Sequence, residues 1–233
     1  MSRKRSSSPV AKGMTRDRIL DAASRLIGEL GESGLSMRNV ATELGVATTT
    51  IYWHVGNREA LLDALIERVV ATFDLDDIRG NTPHERLKVI CVSLRRSILD
   101  NAVIVELATR ENRFAKFWVA ARDACLREIR SAGLQGADAV RALQTILIHV
   151  IGFVRVERSF AIWKQEHHAT EGTGVAGLPV ADDELAVHMA APVDADALFE
   201  FSVEILLAGA LQPTAATTTR ARKAPGRSRP RLS

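Results

Sequence analysis

Between Thr48 and His54 the sequence gathers hydroxyls and ring donors around a single aliphatic residue: Thr48, Thr49, Thr50, Tyr52, Trp53 and His54 flank Ile51. Side chains of these lengths suit phosphate oxygens, base edges and thymine methyl groups. They form no nucleophile–base pair and no metal-ligand set, and no such motif occurs elsewhere in the chain, so neither catalysis nor a cofactor is expected. Three consecutive threonines make a poor helix interior by propensity, which points to selection for something other than stability if a helix forms there. The elements that would position this face lie just upstream. A short helix starting at Ser36 would bury Met37, Val40, Ala41 and Leu44, and Gly45-Val46-Ala47 would make a turn. The segment Ser36 to Arg58 thus reads as a helix-turn-helix, with Val40, Ala41, Val46 and Ile51 in its core and the opposite face of the second helix free to enter a DNA major groove. The same pattern also builds plain αα corners, in which Tyr52 and Trp53 would pack against neighbouring helices.

The rest of the chain has the same helical periodicity. Thr15 caps a first helix with Ile19, Ala22, Ala23, Leu26, Ile27 and Leu30 on one face, and Gly31 ends it. Asn57 caps a fourth helix with Leu61, Leu62, Leu65, Ile66, Val69 and Phe73 on its apolar side. Thr82-Pro83-His84-Glu85 is a capping box with proline at the first helical position. Further helices are expected at about 102–109, 113–132 and 138–165, and Asp194 caps a last one over Ala195–Leu211. Residues 167–193, rich in Gly, Ala, Pro and Asp, read as a long connection with one short helix near Asp183–Met189. No stretch alternates with period two over strand length, so the expected fold class is all-α.

The 233 residues carry a net charge of +3, with 46% hydrophobic and 25% charged residues. That charge is unevenly spread. Residues 1–18 hold Arg3, Lys4, Arg5, Lys12, Arg16 and Arg18 against Asp17, and residues 213–233 hold Arg220, Arg222, Lys223, Arg227, Arg229 and Arg231 with no acidic residue, leaving an acidic body. Basic ends beside a DNA-reading element suit the phosphate backbone, though cationic tails also serve as solubilising ends. No uninterrupted apolar run reaches membrane-spanning length and the start lacks a secretory apolar stretch, so a cytoplasmic protein without a membrane partner is expected. Cys91 and Cys125 have no C-x-x-C spacing and read as buried thiols.

Residues 15–70 resemble the TetR (tetracycline repressor) family of bacterial regulators. The matching strings are Ile19-Leu20-Asp21-Ala22-Ala23, the Gly31, Gly34, Leu35, Ser36 entry, Val40-Ala41, Leu44-Gly45-Val46, Thr50-Ile51-Tyr52-Trp53-His54-Val55, and Asn57-Arg58-Glu59-Ala60-Leu61-Leu62. The resemblance implies a three-helix DNA head at 15–60, a fourth helix leading into a ligand-binding and dimerisation domain at 61–212, a basic arm at 1–14 and a basic tail at 213–233. It implies double-stranded operator DNA as partner, contacted from Ser36, Arg38, Thr48, Thr49, Thr50, Tyr52, Trp53, His54 and Arg58. Arg38 would pair with a guanine, and Arg58 would grip phosphate at a helix N-terminus. It further implies a homodimer through the helices near 138–165 and 195–211, acting as a repressor that a small-molecule inducer releases from a palindromic operator. A constitutive, architectural DNA-coating protein using the two basic tails is the alternative, and a helical small-molecule-binding or enzymatic protein is a second.

For the inducer, the resemblance runs on through Val105-Glu106-Leu107-Ala108-Thr109-Arg110. The branch places a metal-ligating histidine where this chain has Glu106, and a drug-contacting histidine where it has Asp74. A small molecule other than tetracycline–magnesium is therefore expected, with no metal site. Candidate lining residues are Glu106, Thr109, Trp118, Arg122, His149 and Phe153, polar or aromatic groups on otherwise apolar helices, although such a His149 and Trp118 more often serve in core packing. His167-His168 point apart on a helix and make no metal site. Gly172-Thr173-Gly174-Val175-Ala176-Gly177 matches a dinucleotide fingerprint in letters only, because no strand precedes it.

Overall fold

The computed structural model describes residues 13–75, 78–167 and 194–212, and every regular element among them is helical. Helices α1 (Arg16–Leu30), α2 (Met37–Glu43), α3 (Thr48–Val55) and α4 (Arg58–Ala71) are followed by α5 (Pro83–Asp100), α6 (Ala102–Arg110), α7 (Ala115–Ser131), α8 (Gly136–His167) and α9 (Ala195–Ala210). Residues 1–12 of the basic arm, the connection at 168–193 with its expected short helix, its glycine fingerprint and His168, and the basic tail at 213–233 lie outside the described residues.

The helix starts follow the local capping signals. Thr15, Ser36, Asn57 and Asp194 each accept a backbone N–H from the first turn of α1, α2, α4 and α9. At α5, Thr82 Oγ1 accepts from Glu85 N at 3.2 Å while Glu85 Oε2 accepts from Thr82 N at 3.3 Å, the reciprocal pairing of a capping box. The expected apolar residues Phe73 and Leu44 behave differently. Phe73 is buried but lies past the end of α4, just before Asp74 turns the chain with φ 46°, and Leu44 is only half-buried at the cap of α2.

The chain divides into two compact units. The first takes in residues up to Asp74 together with Arg96–Ala121. Its core combines Ile19, Ala22, Ala23 and Ile27 of α1, Val40 and Ala41 of α2, Ile51 of α3, and Leu61, Leu62, Leu65 and Ile66 of α4 with Leu107 and Ala108 of α6. Phe73 meets the Phe117 ring at 6.3 Å between centroids. Between α1 and α2 the chain passes close under α1 in a 3₁₀ turn, Gly31–Gly34. A Cβ at Gly34 would stand 2.2 Å from the Leu26 carbonyl oxygen. Backbone cannot yield there as a side-chain tip can, so Gly34→Ala should destabilise the head by about 1–3 kcal/mol or more, read as a fall in the thermal midpoint by circular dichroism. An unchanged midpoint would refute the close approach.

The second unit comprises Leu75–Arg95 and the described residues from Arg122 onward. Leu87, Ile90, Cys91 and Leu94 of α5, Ala124, Cys125 and Ile129 of α7, Ile146, Leu147, Val150 and Val154 of α8, and Phe199, Val203 and Leu207 of α9 are buried. Both cysteines are free and buried, as the sequence suggests. Burial pushes Cys125 up to about 12, and burial together with the neighbouring Cys125 pushes Cys91 up as well, so neither is a reactive thiolate near neutrality. Helix α8 is long and apolar enough over Gly136–Trp163 to cross a membrane, with a mean hydropathy of 1.5 in its most apolar window. Its Ile146, Leu147, Val150 and Val154 side is buried, while Val140, Ile148, Val156 and Phe160 are exposed. On α9, Leu198, Phe201 and Ile205 are exposed opposite the buried Phe199, Val203 and Leu207.

Candidate nucleic-acid interface

The helix-turn-helix is assembled by backbone hydrogen bonds. Ser36 Oγ caps α2 by accepting from Asn39 N at 3.4 Å, and Asn39 Nδ2 donates back to Ser33 O at 2.9 Å. Gly45 takes φ 64°, the left-handed conformation that closes a helix end, and Val46 N reaches back to Ala41 O at 3.0 Å. α3 begins at Thr48, three residues after Gly45. Only Ile51 and Val55 of α3 are buried, so the helix is held from one side. Gly56, with φ 85°, ends α3, and its N–H bonds Tyr52 O at 2.9 Å before Asn57 starts α4.

That anchoring leaves the opposite side of α3 outward. Trp53 is 82% exposed and Tyr52 50% exposed, Thr49 is exposed, and Thr48, Thr50 and His54 are half-buried. The Trp53 and His54 rings meet edge to face with centroids 4.7 Å apart. Arg38 is exposed on α2, where its carbonyl accepts the Thr42 hydroxyl at 2.9 Å, and Ser36 is half-buried at the cap. A plain αα corner would cover Tyr52 and Trp53, and among the described residues Trp53 is uncovered and Tyr52 only half covered. An indole so exposed on a short helix, beside three hydroxyls, is a surface for a partner carrying acceptors and flat apolar groups.

Arg58, the first residue of α4, has a partner that sequence reasoning missed. Its Nη1 donates to Glu111 Oε1 at 2.5 Å. The turn holding Glu111 carries further charges: Arg110 bonds Glu32 at 3.1 Å, and Arg113 and Lys116 both pair with Asp63 on α4, Lys116 at 2.9 Å. Burial acts to raise the Asp63 pKa, but hydrogen bonds from Lys116 and Arg113 outweigh it and hold the carboxyl below its usual value. The stabilisation from this pairing is therefore complete above the unfolded carboxylate value and is lost as pH falls through the lower native one. No local pattern announces these pairs, since Arg58 and Glu111 are 53 residues apart.

The expected ligand residues divide between the units. In the first, Glu106 bonds Arg110 at 2.8 Å, the Thr109 hydroxyl bonds Val105 O at 2.8 Å, and Trp118 stands edge-on to Phe114 at 6.0 Å. In the second, His149 stacks on Phe199 at 6.1 Å and shares a 2.9 Å hydrogen bond with Ser202, while Phe153 meets Phe199 at 4.9 Å. Burial lowers the His149 pKa, favouring the neutral ring. Arg122 pairs with Asp123 in an open depression of about 630 Å³ that Leu126, Arg127 and Arg130 also line, a cationic surface rather than an enclosed apolar cavity. Among the described residues no group of three or more His, Cys, Asp or Glu could hold a metal ion.

Comparison with known proteins gives the family. Residues 19–65 match the family model of bacterial regulatory proteins of the tetR family, and residues 79–212 match the tetracyclin repressor-like C-terminal domain. The chain is 30% identical over 175 residues to the class D tetracycline repressor protein of Escherichia coli, spanning 73% of this chain and 74% of that one. Apo ActR from Streptomyces coelicolor superposes with a TM-score of 0.63 at 27% identity, covering 93% of this chain and 100% of ActR. ActR crystallised in complex with actinorhodin superposes with a TM-score of 0.61 at 26% identity, covering 85% and 96%. The chain belongs to the TetR family of bacterial transcriptional regulators.

Proposed function

We propose that the protein is a homodimeric repressor that reads a palindromic operator through α3 and leaves it when a small-molecule inducer binds the helical body. The observation that carries the DNA reading is the outward face of α3, with Tyr52 and Trp53 exposed while Ile51 and Val55 anchor the helix. Thr48, Thr49, Thr50, Tyr52, Trp53 and His54, with Ser36 and Arg38 from α2, make the contacts, and Arg58 of α4 is the cation available for phosphate, within a head of residues 15–60 and with residues 61–212 sensing and dimerising. A protein with this task works in the cytoplasm.

The inducer reading is supported by the match of residues 79–212 to the tetracyclin repressor-like domain and by the complex of ActR with actinorhodin. Glu106 and Asp74 stand where the tetracycline branch has histidines, which favours a ligand other than tetracycline–magnesium. For the lining, His149 and Phe153 supply a neutral ring donor–acceptor and an aromatic face, and Glu106, Thr109, Trp118 and Arg122 are the further candidates. The inducer acts by favouring a spacing of the two heads that no longer fits successive major-groove half-sites, through α4. A ligand that binds without weakening the DNA complex would overturn this.

The DNA reading is tested with the full chain and a duplex enriched from a random pool by repeated binding. In gel shifts, Arg38→Ala and Tyr52→Ala should each weaken binding by roughly 5- to 150-fold, as the loss of one good base or backbone contact does, while leaving the melting temperature unchanged. Unchanged affinity in both variants would make the head a structural corner.

A further inference from the structure

Resting on the DNA reading above, we infer that Glu111 is a built-in brake on operator binding, a positioning residue that occupies Arg58 and withholds its charge from the phosphate backbone. Arg58 opens α4 three residues beyond the end of α3, where a phosphate held by the face of α3 would also meet the N-terminus of α4. Yet its Nη1 is spent on the Glu111 carboxylate at 2.5 Å, with both side chains half-buried.

Glu111 is not a drifting surface acid. Its N–H bonds Leu107 O at 3.0 Å as the cap of α6, Asn112 follows with φ 56°, and Arg113 N returns to Ala108 O at 2.7 Å, which closes the turn. The pairs of Arg113 and Lys116 with Asp63 fasten the same turn to the side of α4, and the second Glu111 oxygen lies 3.7 Å from Arg113 Nε. Arg58, Arg113 and Lys116 thus face Asp63, Glu111 and Glu59, three cations against three carboxylates, with the Glu59 charge felt at Arg113. A cation already neutralised by a fixed carboxylate adds little to counterion release, so in the native protein Arg58 contributes less than a full phosphate contact.

The test uses full-length protein and the enriched duplex, with affinity measured from 0.05 to roughly 0.3 M salt. Glu111→Gln keeps size and a hydrogen-bond acceptor but removes the charge. It should bind about five- to tenfold more tightly at 0.1 M salt, with the slope of log K against log salt steeper by about 0.9, the signature of one more phosphate contact. In an Arg58→Ala background the same substitution should change neither quantity. Equal or weaker binding by E111Q, or an equal gain without Arg58, would overturn the brake, the latter because it would be only the removal of a nearby like charge. A second measurement needs no variant of Glu111: its side-chain carboxyl carbon shift in the wild-type protein should keep its free-protein position on adding the enriched duplex, because Arg58 stays paired with it. A shift that moves with the enriched duplex to the position seen in the Arg58→Ala protein overturns the brake, since Arg58 would already have passed to phosphate. Failure to enrich any duplex would sink the DNA reading and the brake with it, whereas an enriched duplex bound identically by E111Q sinks the brake alone.

Discussion

Replacing Phe201 and Ile205 together with glutamate should turn the protein into a monomer and lower operator affinity at least about a hundredfold, since a monomer engages a single half-site. Helix α9 is apolar on two sides: Phe199, Val203 and Leu207 are buried within the chain, while Phe201 at 63% and Ile205 at 58% exposure point away from it together with Leu198. Helix α8 repeats the arrangement, with Ile148 at 65% exposure, Val156 and Phe160 outward. A row of large apolar groups at helical spacing on two helices is what a second copy would cover. Each buried Ile or Phe contributes about 1.5–3 kcal/mol, and in a two-fold interface every substitution counts twice, so four carboxylates would enter one apolar seam. Because both positions are exposed in the single chain, the helical signal in circular dichroism should persist. Sedimentation at micromolar concentration reads the change in mass, and a dimer that survives would place the interface elsewhere.

The second large effect concerns Arg95, which sequence periodicity leaves inconspicuous beside the apolar Leu94. Its side chain is 9% exposed; Nε and Nη2 reach the two oxygens of Glu157 at 2.9 and 2.6 Å, and Nη1 reaches Asp196 at 2.7 Å. The guanidinium also lies 5.0 Å from the centroid of Phe199 and 5.7 Å from that of Phe153. The hydrogen bonds to Glu157, opposed by burial and aided by Asp196, raise its pKa, so it is charged at every accessible pH. Arg95→Leu strands the mostly buried Glu157 carboxylate and should cost about 3–5 kcal/mol, seen as a lower urea midpoint, whereas Arg95→Leu with Glu157→Leu should recover much of that loss. Asp196 is largely exposed and its share is small. If the single substitution were as mild as the double one, the cluster would not be an interdependent unit.

Much of the fold was legible because its signals are local. Thr15, Ser36, Asn57, Thr82 with Glu85, and Asp194 each announce a helix start within three residues, and the i, i+3, i+4 apolar pattern of α1 and α4 marks the buried faces. The ends were less so. Asn112 in a left-handed turn delays α7 to Ala115, and Asp74 in the same region leaves Phe73 outside α4; Asn and Asp adopt this conformation more readily than other non-glycine residues, but most of them do not, so residue type alone does not mark the turn. The outward face of α3 was readable from the threonine and aromatic run. What escaped were the pairs that join distant segments: Arg58 with Glu111, Asp63 with Arg113, and Arg95 with Glu157, 53, 50 and 62 residues apart. Each is fixed by how helices pack, and exposed arginines elsewhere in the chain have the same local sequence character.

The central claim, that two copies of α3 read a symmetric site, is tested most directly by sequencing the duplexes that the full-length protein enriches from a random pool. The expected result is an inverted repeat whose half-sites are centred about one helical turn, 34–36 Å, apart, bound at least about a thousandfold more tightly than a scrambled duplex. Recovery of no motif, with binding that depends steeply on salt but not on sequence, would contradict it.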